Sequence, residues 1–448
     1  MKNIQVAFGF VLLALTGLWL LADTLLPQPF TWFSFRSVFV QYTGVLAIGT
    51  MSVAMLLALR PSWLEQRLYG LDKMYRLHKW LGIAALGLSV LHWWWAQGTK
   101  WMVGWGWLER PARRGAPAGG SGAGDLAQWL AGQRGVAEGL GEWAFYVAAI
   151  LIGVALVKKV PYRWFRKTHA LLAIAYGVLA WHSVVLLKPA YWAQPVGWAV
   201  ALLLATGLVA AVLSLAGRIG ADRRVGGVVQ SLTYYPALRV LEGAVLLDPG
   251  WPGHRAGQFA FVTGDPREGP HPYTIASSWH PQERRHVFIV KELGDHTAHL
   301  HETVAVGDRV TVEGPYGRFD FDDDKPRQVW VGAGIGITPF IARMKQLAQA
   351  PAPARQAIDL FHPTRDYEQA AIDKLTADAK AANVNLHVLV SPRDGHLSAE
   401  QIRAAVPDWR SASVWFCGPA GFGDALRRDF RAHGLPARDF HQELFEFR

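Results

Sequence analysis

Four histidines lie in otherwise apolar stretches in the first half of the chain. The sequence has 16 histidines, and only four of them fall within the first 220 residues. They bound two segments, HKWLGIAALGLSVLH and HALLAIAYGVLAWH, and their positions are His78, His92, His169 and His182. An imidazole in hydrocarbon needs a partner, and a haem iron accepts two imidazoles, one from each side. Two helices that carry two histidines each therefore predict two haem b groups.

Each histidine taken alone could instead hydrogen-bond to a neighbouring helix. Two matched pairs, with no other histidine in this half, favour metal ligation. The spacing leaves one question open. At about 100° per residue, the step from His78 to His92 returns within about 40° of the same helix face, whereas the step from His169 to His182 misses it by about 140°. Either the second helix is distorted, or its two histidines serve haems on different sides.

The elements that would position these histidines are membrane spans. Hydrophobic residues make up 51% of the chain, and they are concentrated before about residue 217. Six segments come close to the roughly 20 apolar residues that cross a bilayer. The segments are 4–26, 36–59, 76–97, 141–157, 168–187 and 196–216.

Basic loops predict the orientation of these spans. Lys and Arg are densest in loops 60–79 and 158–167, so both termini and the polar second half are expected in the cytoplasm. His78 and His169 would then form an inner haem site, and His92 and His182 an outer one. The irons would lie roughly 20 Å apart along the membrane normal, which suits a path for electrons.

Composition excludes other classes of function. The net charge of +10 is explained largely by basic loops that face anionic lipid, and no arginine-aromatic interleaving indicates nucleic acid. A single cysteine, Cys417, excludes an intramolecular disulfide. Segment 98–140 is predicted as an outer region whose role stays open, and its Gly- and Ala-rich part 111–125 as a flexible loop.

The second half has the pattern of two domains. Residues 225–320 indicate short strands broken by Gly and Pro, and include HPYTIASS at 271–278 and KELGDHT at 291–297. Residues 328–448 alternate strands and helices. The apolar strand VWV leads into GAGIG at 332–336, a turn where backbone N–H groups and a helix N-terminus could meet a pyrophosphate. Alone, GxGxG is a weak match to the usual fingerprint.

Together these motifs resemble a known family. The second half is similar to the ferredoxin-NADP reductase superfamily, and the chain as a whole resembles the ferric reductase and NADPH oxidase family of transmembrane proteins, in a minimal bacterial form. The two histidine pairs, HPYTIAS, GAGIGITPF, CGP and the terminal FEFR occur in the family's order. The resemblance implies a multi-domain membrane protein. Its parts would be a six-helix transmembrane bundle (1–217), a linker (218–224), an antiparallel β-barrel FAD domain (225–325) and an α/β NADPH domain (326–448).

The resemblance also implies roles for individual residues. FAD would be held by His271, Pro272, Tyr273 and Thr274, with Gly294 and Thr297 at its pyrophosphate. Tyr273 would lie along the isoalloxazine and Thr274 near its reactive nitrogen, while His271 stands where soluble reductases usually have arginine. NADPH would be held by Gly332, Gly334, Gly336, Thr338, Pro339, Cys417, Gly418 and Pro419, with Cys417 beside the nicotinamide. Phe447 would cover the flavin.

Simpler interpretations stay open for some of these residues. Cys417 could be a small buried hydrophobe, Tyr273 could pack in the core, and Phe447 could close a terminal strand. His296, His299 and His301 have a spacing compatible with metal ligands, but no complementary cluster follows in the sequence, so a solvated turn is predicted.

Coenzyme choice is predicted from the end of the strand AIDLF. An acidic residue there would favour the 2′-hydroxyl of NADH, but the chain reads His362-Pro363-Thr364-Arg365. A hydroxyl and a guanidinium suit a 2′-phosphate, so we expect a preference for NADPH, unless Arg365 is an ordinary surface arginine.

The predicted function is that of an oxidoreductase in the bacterial inner membrane. NADPH would reduce FAD, and the two haems would carry electrons to a one-electron acceptor outside. Molecular oxygen, giving superoxide, is favoured because the outer segments have no cluster of carboxylates or histidines to gather iron. The alternatives are a ferric-chelate reductase and an electron-transfer subunit that serves a periplasmic redox partner.

Overall fold

The structure of the chain, a computed structural model, describes residues 2–109, 125–157, 159–294, 296–350 and 356–443. They form two compact units, one with most of the residues up to Ile219 and one with those from Gly220 onward. We call them the membrane unit and the reductase unit.

The membrane unit is helical. Local signals define several helix ends: a capping box between Thr31 and Ser34 precedes one helix, and Pro195 occupies the first turn of another. The helices are α1 (Lys2–Leu20), α2 (Trp32–Ala58), α3 (Ser62–Arg67), α4 (Leu71–Gly104), α5 (Asp125–Gly132), α6 (Arg134–Leu156), α7 (Tyr162–Ala170), α8 (Leu172–Leu186) and α9 (Pro195–Leu215).

Helices overlap all six predicted spans, but not all of them are equally apolar. Among the described residues, four stretches are long and apolar enough to cross a membrane: Trp32–Ala58, Arg134–Leu156, Tyr162–Leu186 and Pro195–Leu215. Helix α1 contributes the shorter apolar stretch Ile4–Leu20. The membrane unit is thus a membrane-like helical region with four apolar helices, and the count of six spans stays a prediction.

A break separates α7 from α8 and bears on the question of helix phase. Helix α7 ends at Ala170, one residue after His169, and α8 begins at Leu172. The N–H of Leu171 donates to the carbonyl of Thr168, three residues back, at 3.2 Å. Such a tight turn changes the rotation per residue. The structure thus shows a distortion in this span, while the helix face that carries each haem stays a prediction.

Close helix packing in the membrane unit depends on small residues. The Tyr176 hydroxyl on α8 lies 2.8 Å from the Ser52 hydroxyl on α2. A Cβ atom at Gly207 on α9 would come within 2.0 Å of the same tyrosine oxygen. Tyr176 therefore joins three helices at a point where only glycine leaves room.

The reductase unit begins with an antiparallel sheet. Its strands are β1 (Arg224–Tyr235), β2 (Val240–Leu247), β3 (Phe259–Thr263), β4 (His271–Thr274), β5 (Arg285–Lys291) and β6 (Arg309–Tyr316), and the short helix α10 (Leu300–Thr303) precedes β6. The order in the sheet is β4-β3-β6-β1-β2-β5. A single antiparallel bridge between Ile275 and Phe288 brings the two edges together.

A parallel sheet flanked by helices follows. Its elements are β7 (Arg327–Gly332), α11 (Thr338–Ala348), β8 (Ala357–Thr364), α12 (Gln369–Ala381), β9 (Asn385–Val390), α13 (Ser391–Asp394), α14 (Ala399–Ala405), β10 (Ala412–Cys417), α15 (Ala420–Ala432) and β11 (Phe440–Gln442). The order is β11-β10-β7-β8-β9. Strands β8 and β9 are thus added on one side of β7 and strands β10 and β11 on the other, which makes the boundary between β7 and β10 a topological switch point. Open α/β sheets bind ligands at the carboxyl ends of strands at such a switch point.

Candidate histidine and nucleotide sites

The four histidines of the membrane unit meet in the predicted pairs. The ring centroids of His78 and His169 are 5.8 Å apart, and those of His92 and His182 are 6.3 Å apart. Two imidazoles on opposite sides of one metal have nitrogen atoms roughly 4 Å apart, because each metal–nitrogen bond is about 2 Å long. Both pairs are spaced to hold one iron each, although haem ligation itself stays a prediction.

Hydrogen bonds to backbone carbonyls orient three of the four rings. A carbonyl only accepts, so Nδ1 of each ring carries the proton and Nε2 keeps its lone pair. This is the usual arrangement of metal-ligating histidines. The bonds run from His78 to Ala54 (2.8 Å), from His92 to Val40 (2.9 Å) and from His182 to Ala137 (2.8 Å).

Two glycines leave space for the outer pair. A Cβ atom at Gly141 on α6 would lie 2.0 Å from Nδ1 of His182, and one at Gly44 on α2 would lie 3.2 Å from Cε1 of His92. A cavity of about 300 Å³ is lined by both of these histidines. Shape and nitrogen orientation thus both fit a group bound between the rings.

A polar network near the outer pair was not predicted. Glu142 on α6 accepts hydrogen bonds from Gln97 and from the hydroxyl of Tyr146, both at 2.6 Å. Trp93 in turn donates to the Tyr146 hydroxyl at 3.1 Å. A carboxylate within an apolar helix is itself a functional signal, and it could have identified Glu142 from the sequence.

The predicted FAD string forms strand β4, paired with β3. In this register His271 lies opposite Val262 and Tyr273 opposite Ala260, and Thr274 is buried. The His271 ring stacks on His296 at 3.8 Å, with Glu268 close by. His296 therefore packs against the string instead of lying in a solvated turn.

The other two histidines of that segment behave differently. Exposed His299 lies 3.2 Å from Glu302, as expected of a solvated turn. His301 stacks on Tyr234 and lies 3.1 Å from Glu292. His296, His299 and His301 thus contact different partners and do not form a shared metal site with one another.

Gly294 and Thr297, the predicted pyrophosphate contacts, share one turn. The Thr297 hydroxyl accepts from the backbone N–H groups of Leu293 at 3.0 Å and of Gly294 at 3.1 Å. The hydroxyl thereby fixes the shape of the turn, and a contact with FAD stays a prediction.

The glycine turn after β7 meets the end of β10. Gly334 has a left-handed φ of 56°, and a Cβ atom at Gly336 would come within 2.2 Å of the Cys417 carbonyl. The N–H of Ala333 donates to the same carbonyl at 2.9 Å. Thr338 and Pro339 then start α11. GAGIGITP and Cys417-Gly418-Pro419 thus lie together at the switch point of the sheet.

Cys417 is a buried free thiol. Burial, together with the negative charge of Glu443, raises the pKa of the Cys417 thiol well above its usual range, so the group stays protonated. The effect of buried Glu443 on Cys417 was not predicted, because the two residues are distant in sequence. Phe447 lies outside the described residues.

Thr364 and Arg365 are placed differently from each other. Thr364 is buried, and its hydroxyl donates to the carbonyl of Asp366 at 2.9 Å. The Asp366 carboxylate in turn accepts from Lys291 at 2.6 Å. Exposed Arg365 keeps its guanidinium accessible to a ligand, whereas the Thr364 hydroxyl is engaged within its own loop.

The membrane unit contains a stretch that matches a known family. Residues 43–180 match the family model of the ferric reductase like transmembrane component. Three of the four paired histidines lie within the matched stretch, and the fourth, His182, follows its end by two residues.

Relatives match the chain over less than half its length. The flavohemoprotein of Burkholderia sp. (strain TH2) is 26% identical over 220 residues, 46% of this chain and 54% of the relative. The carnitine monooxygenase reductase subunit of Escherichia coli (strain K12) is 29% identical over 147 residues, 33% of this chain and 43% of the relative. The chain spans about half the length of these relatives.

Phthalate dioxygenase reductase matches 50% of this chain and 68% of its own, with 25% identity and a TM-score of 0.41. The sequence matches to a ferric reductase-like component and to flavohemoproteins confirm the predicted resemblance.

Proposed function

We propose that the protein carries electrons from NADPH across a bacterial inner membrane to a one-electron acceptor outside. The observation that carries the proposal is the meeting of four histidines in two pairs, at 5.8 and 6.3 Å between ring centroids. When bound, FAD would accept hydride from the nicotinamide, and two haem b groups would pass single electrons. The histidines would hold both irons with their Nε2 atoms.

The proposal includes the finer architecture. The domains would be a six-span bundle (1–217), a linker (218–224), a β-barrel that binds FAD (225–325) and an α/β domain that binds NADPH (326–448), with both termini in the cytoplasm. Helices at all six expected places support the bundle, and the bridge between Ile275 and Phe288 supports closure of the barrel. Basic loops on one side support the orientation.

Residues of the reductase unit would orient the coenzyme. Backbone N–H groups in the GAGIG turn and the start of α11 would bind the pyrophosphate. The neutral Cys417 thiol would pack beside the nicotinamide without competing as a nucleophile, because its raised pKa keeps it protonated. Exposed Arg365 would pair with a 2′-phosphate.

Haem content tests the proposal. We expect two low-spin haems per chain, loss of the inner one in His169→Ala and of the outer one in His182→Ala. The pyridine haemochrome assay gives the stoichiometry, and absorption spectra give the spin state. One haem per chain in the parent protein, or unchanged spectra in both variants, would contradict the proposal.

Transfer across the membrane needs its own experiment. The purified protein is reconstituted in sealed vesicles that contain ferricyanide, and NADPH is added outside. Chains whose reductase unit faces outward should reduce the trapped ferricyanide, and His182→Ala should not, because the outer haem is lost. Equal reduction by both proteins would exclude the proposed route.

Molecular oxygen is the proposed acceptor. If both outer histidines bind the iron, no coordination site is open, so the acceptor takes its electron at the haem edge. Within the membrane unit, the described residues hold no cluster of three metal-ligating side chains that could gather iron. A small neutral gas needs no such cluster.

A ferric chelate is the second candidate, since three basic side chains against two carboxylates in the lining of the cavity beside His92 and His182 leave an excess of positive charge for an anion. The basic residues are Arg36, Lys100 and Arg134. The test is NADPH-driven cytochrome c reduction in air with and without superoxide dismutase, beside anaerobic reduction of a ferric chelate. Inhibition by the dismutase supports oxygen. Fast chelate reduction with no effect of the dismutase identifies a ferric reductase.

A further inference from the structure

The protein holds the four paired histidines with unequal firmness. Three rings donate from Nδ1 to a backbone carbonyl at 2.8 to 2.9 Å. Nδ1 of His169 is buried and has no hydrogen-bond partner in the part of the chain that the structure describes. The ring of Phe165 stacks on His169 at 5.2 Å between centroids, and its face offers no strong acceptor.

The backbone around His169 is also less constrained. His169 belongs to α7, a helix of 9 residues none of which is buried as a whole, even though the Nδ1 atom of His169 is. The helix ends one residue later, at the break at Leu171. By contrast, His78 and His92 belong to the 34-residue helix α4. The inner pair thus combines one firmly held ring with one that can move without disrupting a long hydrogen-bond ladder.

A missing hydrogen bond weakens a metal ligand in two ways. The bond fixes the orientation of the ring, and it makes the other nitrogen more basic. Loss of such a partner typically costs about 10–100-fold in metal affinity. The outer histidines His92 and His182 both have their carbonyl partners, so only the inner site has this weakness.

We propose that His169 is an exchangeable ligand, and that the inner haem site therefore binds small neutral diatomic molecules such as carbon monoxide. The inference rests on the proposed two-haem function. In the exchange, the bond between iron and the His169 nitrogen breaks and a bond between iron and the diatomic ligand forms. The oxidation state of the iron does not change. The outer site keeps both imidazoles and binds no such ligand.

Carbon monoxide titration of the dithionite-reduced full chain tests the inference. Absorption difference spectra count the carbon monoxide bound per haem, and the pyridine haemochrome assay counts the haems. We expect one carbon monoxide for every two haems. Binding to neither haem, or to both, overturns the inference. A haem count other than two per chain contradicts the proposed function instead.

Two matched variants assign the site. In His182→Leu the inner haem keeps its exchangeable ligand and any outer haem becomes five-coordinate, so the ratio should rise to one carbon monoxide per haem. In His169→Leu the outer haem stays closed, so the ratio should not exceed one half. The reverse pattern, a rise in His169→Leu and none in His182→Leu, would place the exchangeable ligand at the outer site and refute the assignment.

Discussion

The membrane unit and the reductase unit build their candidate sites from different parts of the chain. In the membrane unit, imidazole side chains on α4, α7 and α8 face one another, and glycines leave room for the outer pair. In the reductase unit, backbone groups of loops converge at the switch point of a sheet, where the Ala333 N–H donates to the Cys417 carbonyl. The first site is sensitive to a single methyl group, and the second to the shape of its turns. Damage to one should therefore leave the other intact.

Gly141→Ala should have the largest effect. The added methyl group would lie 2.0 Å from Nδ1 of His182, so the ring must leave its place and lose its carbonyl partner. We expect the haem count to fall from two to one per chain. NADPH-driven reduction of the outer acceptor should fall at least 10-fold, the lower end of the roughly 10–100-fold loss that follows when a metal-ligating histidine loses its hydrogen-bond partner. The measurements are haem stoichiometry and turnover.

Gly139→Ala is the matched control on the same helix, since no atom lies within 4 Å of its added methyl group. It should keep two haems. Both variants should keep NADPH-driven reduction of a soluble dye by the reductase unit. Equal haem loss in the two variants would show that the space around His182 does not decide haem binding. Loss of dye reduction would show that damage to the membrane unit also impairs the reductase unit.

Acid should destabilise the reductase unit through two buried histidines. The rings of His254 and His286 lie 4.6 Å apart, and neither nitrogen of His286 has a hydrogen-bond partner among the described residues. Burial lowers the pKa of His254 to about 4 and that of His286 to about 2. In the unfolded chain both would titrate near their ordinary value of about 6.5.

The sign of the pH effect follows from these values. Below about pH 6.5 the unfolded chain binds more protons than the folded one, so the free energy of unfolding falls as the pH falls. Each histidine contributes a slope of up to about 1.4 kcal/mol per pH unit. Urea denaturation followed by FAD fluorescence between pH 6.5 and pH 4 measures it. His286→Leu should reduce the slope, and a slope unchanged by this substitution would argue against the interpretation.

Arg365→Ala should have a smaller and more selective effect. A charge-assisted hydrogen bond to a phosphate contributes about 1.5–3 kcal/mol, so kcat/KM for NADPH should fall by roughly 10-fold or more while that for NADH stays the same. Dye reduction by the reductase unit is the assay. Equal kcat/KM for the two coenzymes in the parent protein would refute the predicted preference.

Thr364→Ala is the control for this prediction. The Thr364 hydroxyl donates to the Asp366 carbonyl, so its removal should loosen the loop without changing the ratio of the two coenzymes. A change in that ratio as large as the change in Arg365→Ala would mean that the hydroxyl leaves its loop to bind the coenzyme.

Part of the arrangement could be predicted because some residue types are energetically unfavourable in all but one kind of environment. Imidazoles in apolar helices need partners, which identified His78, His92, His169 and His182. GAGIG after an apolar strand predicted the turn that now meets Cys417. Both inferences need only short stretches of sequence.

What sequence reasoning missed depends on contacts between distant residues. Helix phase alone does not decide between a distorted helix and two haem faces, and it does not locate the break at Leu171. The partners of Glu142 and the stacking of His296 on His271 join separate segments. The residue type of Thr364 suits a phosphate, and it does not reveal that the hydroxyl donates within its own loop; a contact with the coenzyme stays a prediction.

The central position of β1 in the antiparallel sheet has a consequence for biogenesis. This strand pairs with β2, its neighbour in sequence, and also with β6, which ends at Tyr316. At about 5–20 residues per second, the ribosome needs roughly 4 to 16 s to translate the stretch between the end of β1 and the end of β6. During that interval the edge of β1 that pairs with β6 has no partner strand, while all helices up to α9 have already been translated. The cell therefore makes the membrane unit before the reductase unit can fold, and a chaperone that shields β1 would act in that window.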